Sequence, residues 1–510
     1  MSSDSVITVN DIHSQLNPTR VTEIIKVDSL KAIQATVDNA IKENQFISIA
    51  GGRHAMGCQQ FGTDTILIDT TQLNKVLNFD KEKGLIEVEA GIQWPKLIDY
   101  LVETQKDVPW PQQWGIAQKQ TGADRLSIGG TLACNAHGRG LKMQPIIADV
   151  ESFTLIDAQA NFLTCSRQEN KELFGLVIGG YGLFGVIYSI ILRLTPRQKV
   201  ERVVEVITVD KLPQAFEQRI EAGFLYGDFQ FSTDEKSDDF LYRGVFSCYR
   251  PVDPSTEMVE SQKELSEQHW DNLYYLSHAD KAEAFRQYST YYLSTSGQIY
   301  ASDTHQLSIY LDDYHHELDH RLGLGEQASE IITEIYVPRP ELPDFLAEVR
   351  EDFRINKVNM VYGTIRLIVQ DTELHTPEGL EHSANAFRRL IDMAIKRGGS
   401  YYLTYHTYAK RSQIETCYPQ FAEFLRLKRL YDPQERFQSN CPGNLKWSTT
   451  GIRIIDNGYG SDPDQLQFLE GLFIEHGTQI LYVADVSNNR VQRGSPLADS
   501  CSTPCLQGST

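Results

Sequence analysis

Three glycine-rich turns, each beside a run of strand-forming residues, constrain this chain more than any other feature. They read SIAGGRHAMG (residues 48–57), LSIGGTLACNAHGRG (126–140) and GGYGLFGVI (179–187), in that order. Glycine lets the backbone turn with positive φ and approach other groups closely. Successive N–H groups in such turns form concave nests that suit an anionic group, a diphosphate included. One such turn alone reads as an ordinary loop. Three within about 140 residues, without a Walker-type lysine or an acidic metal ligand beside them, point to one cofactor-binding domain.

The surrounding pattern supports a mixed fold. Asp28–Glu43 has the spacing of an amphipathic helix, while Phe46–Ala50, Thr65–Asp69 and Leu85–Glu89 read as strands. Trp94–Glu103 reads as a helix with Pro95 near its start, where the missing N–H is harmless. From Val200 to about Gly398 the glycine loops thin out. Aromatic-rich strands are expected there over Phe224–Phe231, Leu241–Tyr249, Ile331–Val337 and Val361–Val369, between charged helical stretches. That is the texture of a second α+β domain. Tyr401–Tyr408 reads as a further strand, and Gln420–Tyr431 as a helix stopped by Asp432-Pro433.

Composition excludes several classes. A formal net charge of −20 over 510 residues leaves no basic excess for a nucleic-acid backbone. The longest apolar run, Val186–Leu194, is interrupted by Ser189 and Arg193 and falls short of the roughly 20 residues of a membrane span. The N-terminus has neither a basic start nor an apolar stretch, so no secretory signal is expected. Eight cysteines lie far apart without zinc-type pairs, which reads as reduced thiols and a cytoplasmic location.

Two further motifs imitate other chemistries. Gly180–Gly185 spells GxGxxG, with Glu205 about 20 residues on, as an NAD-binding fold requires. That fingerprint works where a helix opens on it, but the following residues are β-branched and reach Pro196 quickly. A glycine turn before a buried strand is the expected structure. His316–His320 spells HExxH, with Glu317 placed as a base. Asp319 and its charged neighbours suggest a solvated helix face, and Glu334 is the only third ligand that could be proposed. No metal site is expected.

Taken together, the three loops resemble the FAD-binding domain of the vanillyl-alcohol-oxidase, or PCMH-type, superfamily over residues 20 to about 197. The resemblance resumes over residues 398–440, which are similar to the C-terminal part of sugar oxidases acting on decaprenylphosphoryl-ribose, alditols and aldonolactones. It implies an α+β fold: a two-subdomain FAD-binding domain with a cap of antiparallel sheet and helices. The expected division is an N-terminal arm (1–19), the FAD domain (20–199), the cap (200–398) and a segment completing the site (399–444).

By the same resemblance Gly51, Gly52, Arg53, His54, Ala55 and Met56 would form the loop around the FAD pyrophosphate. Ser127, Gly129 and Gly130 would lie beside the flavin, with Asn135, His137 and Gly138 in the next turn. Gly182, Gly185 and Ile187 would pass along the cofactor from the third loop. His54 sits where several branches join a histidine to the flavin 8α-methyl; a non-covalent loop histidine fits the residues equally. The implied reaction is hydride transfer from a CH–OH group of a polyhydroxylated small molecule, with oxygen or another acceptor reoxidising the flavin. Arg366 matches the arginine of a cap Glu-x-Arg pair whose carboxylate is here Thr364, while Tyr405 or His406 would take the hydroxyl proton. Relatives also carry a further cap strand where this chain has only Thr372-Glu373-Leu374, so an impaired flavin-binding protein is the alternative reading. Residues 445–510 resemble a single NHL propeller repeat, most clearly in LYVADVSNNRVQR (481–493).

Overall fold

The computed structural model describes residues 7–259, 262–308, 314–323, 329–368, 381–406 and 408–440, and four strands between 469 and 507. It divides into two compact units, Met1–Leu445 and Lys446–Thr510.

The first layer of the larger unit is a parallel sheet. Glu23–Lys26 and Ile47–Ala50 flank Ile66–Asp69, and the helix Leu30–Lys42 connects the two flanking strands. Ser29 caps that helix by accepting from the Ala32 N–H. Ile33, Val37 and Ala40 recur at helical spacing and are buried against Ile47, Ile66 and Ile68. The chain returns nearly 400 residues later to extend this sheet. Ile47 forms a parallel bridge with Phe437, its N–H donating to the Arg436 carbonyl (2.8 Å) and its carbonyl accepting from Gln438 N–H (2.7 Å).

The second layer is a five-stranded antiparallel sheet in the order Phe162–Ser166, Val150–Ile156, Val186–Arg193, Leu85–Glu89, Val76–Asp80. The helices Trp94–Thr104, Ile128–Ala133 and Lys171–Val177 pack on it around Val88, Leu97, Leu132, Phe153 and Phe174. The residues after GxGxxG form its central strand, buried along Val186, Ile187 and Ile190. The dinucleotide-fold reading is therefore corrected: β-branched side chains fill a sheet interior where that fold needs a helix.

The third layer is the cap, a five-stranded antiparallel sheet in the order Ile299–Ala301, Lys199–Thr208, Arg243–Pro251, Tyr226–Phe231, Thr364–Ile365. Helices Leu212–Glu221 and Leu342–Ile355 supply Phe216, Phe345 and Val349 to its core.

Three expected strands are shorter than the sequence suggests. Ile331–Val337 is paired only at Ile335–Tyr336, and Val361–Val369 only at Thr364–Ile365 on the cap edge. Tyr401–Tyr408 is a strand only at Ser400–Tyr401, then bends into a 3-10 turn over Leu403–Tyr405. Its alternating aromatics do not line two sheet faces. Tyr401 and Tyr408 instead stack with His406, which satisfies their burial without a ladder. The short connection at 372–374 lies outside the described residues.

The smaller unit contains an antiparallel meander of Leu469–Ile474, Leu481–Asp485, Arg490–Gly494 and Pro504–Gln507.

Phe437 is fully buried in the first layer. Phe437→Ala is expected to destabilise the chain by about 3–5 kcal/mol, read as a lower midpoint in urea with an unchanged slope.

Candidate active site

Backbone hydrogen bonds bring the three glycine turns together. Gly179 N–H donates to Leu132 O and Tyr181 N–H to Ala133 O, both at 2.9 Å, joining the third turn to the second. The first turn meets the second face to face: a Cβ at Gly51 would collide with Ser127 Oγ, and one at Gly52 would lie 2.5 Å from the Arg125 carbonyl oxygen. Gly185, at φ +144°, adopts a backbone conformation open to glycine and would press a side chain into Ile156 O. The 3-10 turn at Leu403–Tyr405 then ties all three. Gly57 N–H donates to Thr404 O (3.1 Å), Tyr402 Oη to Cys134 O (2.7 Å), and Tyr181 Oη lies 3.1 Å from Thr404 Oγ1.

The remaining loop residues are placed as follows. Arg53 has left-handed φ (58°), reaches Asp69 at 3.5 Å, and accepts Ile12 N–H on its carbonyl. Ala55 O accepts from Gln60, and the buried Met56 gives its carbonyl to Asn17 Nδ2 (2.6 Å). Ser127 Oγ accepts Gly130 N–H, and Gly129 N–H donates to Ala90 O. Asn135, also left-handed, accepts from Ile147 N–H. A Cβ at Gly138 would press on Lys119 O and one at Gly182 (φ +77°) would meet Ile49, and Ile187 pairs with Leu155 inside the sheet.

His54 is buried at the centre of the first turn. Its Nδ1 lies 2.8 Å from His13 Nε2 on the N-terminal arm, and its Nε2 is buried with no hydrogen-bond partner among the described residues. Burial, with the neighbouring His13, pushes its pKa down to about 3, so the ring is neutral near pH 7. The arm is held rigidly for this contact: Asp11 Oδ1 accepts the N–H groups of His13 and Ser14. Nothing in the local sequence of the arm marks His13, because its partner is 41 residues away.

A second polar cluster lies where the second turn, the cap edge and the C-terminal turn converge. Gln120 donates to Tyr405 Oη (2.9 Å) and accepts from Arg366 Nη1 (3.1 Å). Arg366 Nε and Thr121 Oγ1 are buried without partners among the described residues. Burial and the charge of Glu334 raise the Tyr405 pKa, so that phenol keeps its proton. Glu334 Oε1 lies 2.6 Å from His137 Nε2. Gln120 thus bridges Arg366 and Tyr405. His406 is not in this cluster: its Nε2 meets Thr333 Oγ1 (2.8 Å), its Nδ1 accepts Tyr408 N–H, and it stacks on Phe387. Both ring nitrogens are committed within an aromatic core, which leaves no position for a substrate proton.

Gln120 and Glu334 carry no motif that marks them for this site. The one signal for Glu334 is a charged residue at an alternating position of a strand-like run, Thr333-Glu334-Ile335-Tyr336. The HExxH stretch lies on the helix Tyr314–Leu322. Glu334 pairs with His137 from the second turn.

Residues 22–166 match the FAD binding domain family. The chain is similar to L-gulonolactone oxidase of Mus musculus, 29% identical over 184 residues that are 35% of this chain and 37% of that protein. It is similar to mitochondrial L-galactono-1,4-lactone dehydrogenase of Brassica oleracea, 26% identical over 36% of this chain and 29% of that protein. Cytokinin dehydrogenase 2 of Arabidopsis thaliana is 30% identical over 28% of this chain and 26% of its own length. The chain therefore spans between 26% and 37% of the length of these curated relatives.

This chain carries an FAD-binding domain. The fit is physical as well. The three turns meet at glycines where a side chain would not fit, and His54 Nε2 is buried among them, next to the Arg125 backbone. Gly52→Ala would drive a methyl group against backbone at Arg125. The variant is expected to purify with at least about tenfold less flavin per chain while keeping its far-ultraviolet circular dichroism.

Proposed function

We propose that this protein is an FAD-dependent oxidoreductase that takes a hydride from a CH–OH group of a sugar, alditol or aldonolactone. The observation that carries the reading is the polar cluster beside the FAD loops. Gln120, Arg366 and Tyr405 form a connected set, with Arg366 Nε and Thr121 Oγ1 lacking partners among the described residues. Buried polar groups without partners are costly unless a ligand satisfies them. A polyhydroxylated molecule offers alternating donors and acceptors at the spacing such a cluster needs. The names of two relatives, an L-gulonolactone oxidase and an L-galactono-1,4-lactone dehydrogenase, support a lactone within this class.

Bound FAD would supply the hydride acceptor at N5. The protein would orient the donor carbon through Arg366, Gln120 and Tyr405, and exclude water by closing the cap edge over the loops. Oxygen or another acceptor would complete the cycle. His54 offers a neutral imidazole with an unpartnered nitrogen, which supports a covalent link to the flavin as part of this reading. The four-stranded meander beyond residue 446 is read as a single NHL-type blade, and the free thiols among the described residues fit a cytoplasmic setting.

The purified protein is expected to be yellow and to bleach when L-galactono-1,4-lactone, L-gulono-1,4-lactone or an alditol is added without oxygen. Arg366→Ala should lower kcat/KM roughly ten- to hundredfold, the worth of one charged hydrogen bond. A flavin that no member of the panel bleaches would put a catalytically impaired flavin-binding protein in its place. Precipitation with trichloroacetic acid reads the bond to His54: colour stays in the pellet of the wild type and moves to the supernatant in His54→Ala.

A further inference from the structure

We propose that Glu334, held in place by His137, is the group that accepts the proton of the donor hydroxyl. This rests on the oxidoreductase reading and assigns its base.

Geometry joins the pair. His137 Nδ1 lies 3.2 Å from the Gly138 carbonyl oxygen, and Nε2 lies 2.6 Å from Glu334 Oε1. A carbonyl can only accept, so Nδ1 carries a hydrogen. The short contact on the other side holds the ring against the Glu334 carboxyl. Burial favours the neutral carboxyl, but the charge and hydrogen bond of His137, the charge of Arg366 and the Tyr336 hydroxyl outweigh it and hold Glu334 below its ordinary range. The carboxylate of Glu334 thus faces His137 Nε2 as an anionic acceptor.

Access separates the two partners. The Glu334 side chain retains 21% exposure, the His137 side chain only 6%. The carboxylate is the more accessible member of the pair. Glu334 is positioned by its own backbone, whose carbonyl accepts the Tyr402 N–H (2.8 Å) at the junction with the Ser400–Tyr401 strand.

The charged and titratable groups facing Glu334 come from four elements. His137 belongs to the second turn, Arg366 to the cap edge, Tyr336 to its own strand, and Tyr405 to the C-terminal turn. The other candidate bases are engaged or protonated. Tyr405 and Tyr336 keep their protons because burial and the Glu334 charge disfavour phenolate. Tyr402 donates to Cys134 O, and both nitrogens of His406 are occupied. Among the described residues, a hydroxyl bound at Arg366 and Gln120 meets one anionic acceptor in this cluster, and it is a carboxylate displaced from the cap position that Thr364 occupies.

The step balances as follows. The O–H bond of the donor breaks and its proton passes to the Glu334 carboxylate, giving a carboxylic acid. The C–H bond breaks as hydride, its two electrons going to FAD, and the donor carbon–oxygen bond becomes a carbonyl. The proton on Glu334 returns to water after product leaves. His137 is a positioning residue that keeps its own proton and aims the carboxylate.

Flavin reduction by L-galactono-1,4-lactone, followed without oxygen in a stopped-flow instrument, tests the assignment. Glu334→Gln is expected to lose about 10²- to 10⁴-fold in the reduction rate, with flavin content and lactone affinity within threefold of wild type. The wild-type rate should fall as pH drops through the depressed Glu334 value, and that fall should vanish in Glu334→Gln. Glu334→Asp, which keeps the base, should retain the fall and part of the rate. His137→Asn removes the neighbour that holds the Glu334 value down, so the fall should move to higher pH. A Glu334→Gln protein that reduces at the wild-type rate overturns the assignment. An infrared difference between wild type and Glu334→Gln at neutral pH needs no substrate. A carboxylate band supports the ionised Glu334, and a carboxylic acid band overturns it, even if no lactone or alditol bleaches the flavin.

Discussion

The site depends on amides that three glycine turns give to one another and to a segment arriving more than 200 residues later. Gly179 and Tyr181 donate to the second turn, while Gly57 donates to Thr404. Each turn alone would be a surface loop with its backbone groups in water. Joined, they exchange solvent for one another. The strand pairing of Ile47 with the Arg436–Gln438 backbone keeps the late segment in register with the earliest sheet. The joined turns and the closure of the fold are therefore both held by backbone hydrogen bonds between distant segments.

The second turn has a further role. Its end passes directly into the cap: Gly140 bridges Tyr226, Leu141 N–H donates to Leu225 O, and Gly227 N–H to Arg139 O. Arg139 then stacks on Tyr249 within that sheet and gives Nη2 to His305 O. The cap is thus a sheet hydrogen-bonded to the cofactor loop itself. Displacement of one is carried to the other through backbone, which suits a site that must hold a donor carbon at a fixed distance.

The features legible in the sequence are those written in consecutive residues. The glycine pairs, the β-branched run after GxGxxG and the amphipathic Leu30–Lys42 helix each carry their own signal, and each forms the expected element. Arg366 and Tyr405 were reachable through their motifs, and Gln120 joins them. What escaped was long-range. His13 meets His54 across 41 residues, and Glu334 meets His137 across 197, with no local pattern to announce either contact. The aromatic alternation of Tyr401–Tyr408 misled for a related reason. Period-two spacing predicts two sheet faces, but His406, Tyr401, Tyr408 and Phe387 found one another instead.

The N-terminal arm has a practical consequence. Ile7–Val9 pairs with Thr19–Val21, and the turn between them carries Asp11, His13 and Asn17 onto the Arg53–Met56 backbone. The N-terminal arm is in this protein a packing partner of the first glycine turn and of His54. Trimming the gene for easier expression, or seating a bulky affinity tag against Ile7, alters the surroundings of His54 while sparing the large sheets. A preparation made that way would look well folded and still handle its flavin differently.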